Sequence, residues 1–240
     1  YALYRYGGTE ELVKSLLASN FPVIIEEGYA PEGYDWMGHY LLLTGYDDSV
    51  NVFTTMDSFK GSQNYTYEHI LEHWQHFNYT YIVLYTADRE EEVMELLGEN
   101  ADPWQNNILS LEIARNEATA DQTDPFAWFN MGTNFVNLGM YDAAAQAYDQ
   151  AVSLGLPWRM MWYQFGIYEA YYQTGRYDDM INIARQNQND GGGHYVEETW
   201  YYLGMAREGR GEYNLALENY NSALSFNPNF TPAAEAKARV

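Results

Sequence analysis

Residues 200–228, WYYLGMAREGRGEYNLALENYNSALSFNP, decide the fold of the C-terminal half. Large and small residues stand in this stretch at fixed places: Trp200, Leu203, Gly204, Gly211, Tyr213, Ala216, Tyr220, Ala223 and Pro228. Upstream, Trp128, Met131, Gly132, Gly139, Tyr141, Ala144, Tyr148 and Ala151 hold the same relative positions. Gly132 and Gly204 are 72 residues apart, two periods of 36, so a middle copy is required. Gly175, Arg176 and Tyr177 supply it. The physical content is two antiparallel helices per unit: Trp and Leu pack inside, Gly and Ala let the helices approach, and an aromatic fills the next interface. Pro228 stops the second helix.

The pattern resembles the tetratricopeptide repeat, a helix pair repeating about every 34 residues. Three units are expected at 125–156, 161–190 and 197–228, with residues 230–240 as the start of a capping helix. In the middle unit Gln164 stands where the pattern has Trp, and Met180 where it has a small Ala. The resemblance implies a partner groove on the first helix of each pair, lined by Phe126, Phe129, Asn130, Thr133, Trp162, Phe165, Tyr172, Tyr201 and Met205. Asn130 and Asn137 are present but no cation is, so an apolar, aromatic or basic segment suits this groove better than an acidic tail. For any single aromatic here, inter-repeat core is an equal alternative.

The chain has 240 residues, 47% hydrophobic and 17% aromatic, enough for two modest domains with real cores. No apolar run approaches the about 18 residues of a membrane span. Net charge is −22, from 34 acidic and 12 basic residues, of which three are lysines: Lys14, Lys60 and Lys237. Nucleic acid is therefore a poor partner, and basic partners are favoured. Zero cysteine excludes disulfides, thiolate metal sites and a cysteine nucleophile within these residues. Together with 24 tyrosines, this composition suggests an extracellular or cell-surface protein, with the cytoplasm as the alternative. The first residue is Tyr1, and a removed upstream segment is expected.

In the first 86 residues, Tyr1 to Gly8 reads as a lead-in, and Thr9 caps a helix running to about Asn20. Residues 21–26 read as a buried strand and 28–38 as a loop. Residues 39–46 and 50–56 form a hairpin around Asp47, Asp48 and Ser49. A helix over 67–77 and a strand over 79–85 complete the domain. In the hairpin His39 and Asp57 both lie near the open end, where their side chains can meet.

The run Gly38-His39-Tyr40-Leu41-Leu42-Leu43-Thr44-Gly45-Tyr46-Asp47-Asp48, followed by Met56-Asp57-Ser58, resembles the second half of a papain-like cysteine peptidase domain of the bacteriocin-processing type. Element order agrees. The resemblance implies that His39 is the general base and Asp57 its orienter, since an imidazole must take the thiol proton while a carboxylate fixes its tautomer. The Cys and oxyanion-hole Gln of that family would precede Tyr1. A hydrogen-bonded pair without chemistry is the other account of His39 and Asp57. His69, His73 and His76 share one helix face and read as solvated polar residues, so no metal and no cofactor are expected.

The expected architecture is an α+β half-domain, a papain-like sheet with flanking helices over 1–86, then connecting helices over 87–124 and an all-α repeat solenoid over 125–240. Such a half-domain is expected to leave Leu41, Leu43 and Val23 on an uncovered apolar face. Two functions follow. One is a protein-binding or self-assembly module, not an enzyme as given, with protein, peptide or further copies of itself as partners in a surface filament. The other is the C-terminal portion of a cysteine peptidase whose thiol lies on an upstream segment.

Overall fold

A computed structural model describes residues 1–240. The N-terminal part builds one antiparallel six-stranded sheet from β1 (Ala2–Arg5), β2 (Val23–Tyr29), β3 (Met37–Asp47), β4 (Val52–Asp57), β5 (Gly61–Thr66) and β6 (Tyr81–Leu84), in the order β1-β6-β2-β3-β4-β5. Helix α1 (Glu10–Ala18) starts at Thr9, whose side chain accepts from the Leu12 amide, and α2 (Tyr67–Trp74) starts at Thr66 in the same way. Both caps use a hydroxyl to satisfy a free first-turn N–H.

Two strands were not legible. Residues 2–5, expected as a lead-in, pair with β6 from Ala2↔Leu84 to Arg5↔Tyr81. Residues 61–66 lack β-branched alternation, yet pair with β4 because the tight turn after Asp57 brings them alongside. The uncovered face also differs from expectation. Val23, Leu41 and Leu43 are fully buried, packed with Val13 and Leu16 of α1, Ile70 and Trp74 of α2, and Val93 and Leu97 of α3 (Glu90–Leu97). Helices α1 and α2 of the half-domain cover that face together with α3, which lies just beyond it. Alternation puts Ile24, Leu42 and Ile82 on the opposite face, where they are half-buried beside exposed Tyr40 and Met56.

Helix α4 (Pro103–Ala120) begins with an Asp102 cap and Pro103 in its first turn, and packs on α5 (Pro125–Asn137). The pairs α5 and α6 (Tyr141–Leu154), α7 (Gly166–Gln173) and α8 (Tyr177–Asn189), and α9 (Glu197–Gly209) and α10 (Tyr213–Phe226) then follow, closed by α11 (Thr231–Arg239). Glycines act as the repeat pattern requires. A Cβ on Gly132 would stand 2.7 Å from the Tyr148 ring, and one on Gly204 2.4 Å from the Tyr220 ring, so both tyrosines lie flat on glycine backbone.

The middle unit departs from its expected bounds. Its first helix begins at Gly166, and residues before it form a 3-10 turn, Trp158–Trp162. The cause lies in the sheet domain. Gln164 Nε2 donates to the His76 carbonyl at 3.1 Å, and Tyr163 packs edge-on against Trp36 and Phe77. Gln164, which breaks the repeat pattern, thus holds the N-terminal domain, whereas Met180 is buried in the core of the repeats. No helix is long and apolar enough to cross a membrane.

Candidate functional site

His39 is the third residue of β3 and Asp57 closes β4, on the same sheet face. Their approach is close: His39 Nε2 lies 3.0 Å from Asp57 Oδ1, with the carboxylate almost wholly buried. The tight turn after β4 fixes that carboxylate, because Asp57 Oδ1 also accepts from the Phe59 amide at 2.6 Å and the Lys60 amide at 3.0 Å. Burial works to raise the Asp57 carboxyl, but the two amides and His39 outweigh it and hold it below its usual range. This arrangement orients the ring through Nε2 and leaves Nδ1 as the nitrogen able to take a proton.

Sequence reasoning missed the carboxyl beside it. Glu27 is the cross-strand partner of His39, is 4% exposed, and its Oε2 has no partner. Burial pushes Glu27 up to about 7, against the pull of Lys60. Glu26, on the other face, is likewise raised to about 7 by burial. The signal was available, since two adjacent glutamates interrupt an apolar strand.

These shifts set a pH dependence. Between the unfolded carboxyl range, about 4.3, and about pH 7, the unfolded chain has released protons that the folded chain keeps, so stability falls as pH rises through that window. Urea unfolding at pH 5 and pH 8 should show the loss. Glu27→Gln should remove up to roughly 3 kcal/mol of it, and an unchanged pH profile would contradict this assignment.

The predicted groove residues divide. Phe129 is fully buried against Tyr148, and Met205 is also core, so neither lines an open surface. Phe126 stacks on His76 with ring centroids 3.7 Å apart, and Asn130, fully buried, donates to the Gln75 carbonyl at 2.8 Å. The turn 75–80 of the sheet domain therefore occupies this end of the first-helix face. Burial lowers His76 to about 4, keeping it neutral there, and its ring nitrogen bonds the Gly28 carbonyl at 2.6 Å. At the centre of the contact Asn78 Nδ2 donates to Asn134 Oδ1 at 2.9 Å, while Asn134 Nδ2 and Ser110 Oγ donate to Asn78 Oδ1.

Further along, Trp162 lies in the 3-10 turn against Gly192, outside the groove. Phe165 stacks on Tyr202 and borders a cavity of about 190 Å³ between the sheet and α5, into which Glu26, Tyr4, Tyr6 and Thr133 also face. Tyr172 is half-buried beside Tyr177, and Tyr201 packs edge-on against Phe230. Glu169 and Glu198 stand close enough to Tyr202 to raise its hydroxyl pKa further, although burial is the main cause. Phe165, Tyr172 and Tyr201 keep part of their surface open to solvent.

Residues 3–85 match the model of the Peptidase_C39 like family, and residues 127–154 and 197–230 match models of the tetratricopeptide repeat. No match is found among curated proteins. Among solved structures, the crystal structure of MamA is similar with a TM-score of 0.50 and 15% identity, over 65% of this chain and 84% of that one. MamA 41-end from Desulfovibrio magneticus RS-1 has a TM-score of 0.46 and 18% identity, over 56% and 83%. The first likeness is one of fold, a helical-repeat solenoid. The chain thus carries a Peptidase_C39-like domain at its N-terminus and tetratricopeptide repeats behind it, an arrangement that supports a protein-interaction or assembly role.

Proposed function

We propose that this chain is a protein-interaction module in which the sheet domain is fixed on the repeats and a partner segment lies along what remains of the first-helix face. The observation that carries this reading is the division of that face. Its α5 end is filled by the turn 75–80 through Asn130 and Gln164, whereas Phe165, Glu169, Tyr172, Glu198 and Tyr201 stay partly exposed. An aromatic floor with glutamates beside it suits a segment of aromatic and basic residues. Self-assembly into a filament, with a place at the cell surface or outside the cell, belongs to the same reading and rests on the acidic, cysteine-free composition. In it the chain as given is non-catalytic.

Fluorescence anisotropy with short labelled peptides tests the reading. A Lys- and Phe-containing peptide should bind, and Glu169→Lys combined with Glu198→Lys should weaken it about tenfold or more. Equal binding of a Glu- and Phe-containing peptide, or an unaffected double variant, would contradict it. The 3.0 Å approach of His39 to Asp57 favours a second reading, the C-terminal portion of a cysteine peptidase. Intact-mass analysis of natively purified material should then find a companion segment that carries a cysteine.

A further inference from the structure

Above His39 the loop after β2 and the turn after β4 form a cleft of about 250 Å³, walled by Tyr29, Pro31, Tyr34, Met37 and Phe59. Its rim is open, with Tyr34 66% and Phe59 74% exposed. The walls are apolar but the floor beneath is not. His39 lines the cleft, Glu27 stands beside His39 on the same sheet face, and the buried Glu27 Oε2 lacks a hydrogen-bond partner. Buried polar atoms are nearly always paired, and an orphaned carboxylate oxygen beside a residue that lines an open cleft marks a place for a donor from outside.

The chain itself shows which donor the site tolerates. Lys60 Nζ lies 5.0 Å from the Tyr29 ring centroid, and its charge lowers the Glu27 carboxyl against the rise that burial imposes. An ammonium on a flexible methylene stem matches both parts of the cleft, because the stem packs on aromatic walls while the head reaches a carboxylate. The net charge of −22 draws cations toward this surface.

We propose that this cleft docks a lysine side chain of a partner peptide, with its ammonium received by Glu27 and its methylenes packed between Tyr29, Tyr34 and Phe59. The site is separate from the first-helix face. It deepens the interaction reading by naming the group recognised at the sheet domain, and its failure leaves the repeat surface untouched.

Titration of the full labelled chain by NMR with Nα-acetyl-lysine methylamide tests it, with Nα-acetyl-norleucine methylamide as the uncharged analogue. The lysine probe should shift Tyr29, Tyr34 and His39 signals saturably, and the norleucine probe should bind about tenfold or more weakly. Glu27→Gln should weaken the lysine probe about fivefold or more. Tyr34→Ala, at an exposed residue whose loss leaves the core intact, should also weaken it. Equal binding of the two probes, or a lysine affinity indifferent to both Glu27→Gln and Tyr34→Ala, overturns the proposal.

Discussion

Asn78→Ala is expected to destabilise the chain by about 4 kcal/mol. Asn78 is 1% exposed and sits at the centre of the contact between the two parts of the molecule. Its amide donates to Asn134, and its carbonyl oxygen accepts from Asn134 and from Ser110. Alanine removes three hydrogen bonds and leaves a carboxamide and a hydroxyl buried without partners, each costing about 1–3 kcal/mol. The backbone adds to the loss, because Asn78 has φ of +54°, a conformation that asparagine tolerates far better than alanine. Asn78→Gly separates the two causes: it relieves the backbone but not the orphaned groups, and should recover only about 1 kcal/mol. Urea denaturation measures both variants. An alanine variant within about 1 kcal/mol of the parent chain would show that the contact contributes little.

The second large effect is expected inside the repeats. Tyr148 is fully buried, lies on Gly132 and abuts Phe129 at 4.8 Å between ring centroids. A Cβ on Gly166 would stand 2.4 Å from the Tyr148 hydroxyl, so the next unit is also shaped around this ring. Tyr148→Ala leaves a cavity across the junction of two units and should cost about 3–5 kcal/mol. Tyr148→Phe keeps the ring and loses the hydroxyl that lies 3.3 Å from Thr133 Oγ1, so it should cost about 1 kcal/mol. Thermal unfolding followed by circular dichroism distinguishes the two, and similar losses in both variants would contradict the packing account.

The repeats were legible because their glycines and aromatics obey one spacing, and that spacing is the packing itself. Gly132 under Tyr148 and Gly204 under Tyr220 are the same contact in two units. The middle unit was less legible, since Tyr163 and Gln164 serve the sheet domain and not the helix pair. His39 and Asp57 could be placed together because a hairpin with its bend near Asp47 puts both at the open end. Two adjacent glutamates in an apolar strand signalled a buried carboxyl, but which of them meets His39 depends on the register Glu27↔His39, which periodicity does not reveal. The face left open was also misjudged. Which side of a two-sided apolar strand the helices cover depends on α1, α2 and α3 together, and no single stretch carries that information.

The groove shows a different limit. Family positions mark side chains on the first helices, but what lies against them is a property of the whole chain. Phe126 and Asn130 meet the turn 75–80, and Phe129 faces the core. A solenoid surface read in isolation therefore appears larger than the part a partner can reach.

The central claim is that the sheet domain is locked on the repeats through Asn78 and Asn134, and a double-mutant cycle on these residues tests it most directly. Unfolding free energies of Asn78→Ala, Asn134→Ala and the double variant should reveal a coupling of about 1.5 kcal/mol or more, because either single change already forfeits the shared hydrogen bonds. Additivity within about 0.5 kcal/mol would mean that the two side chains do not meet, and would contradict the docked arrangement.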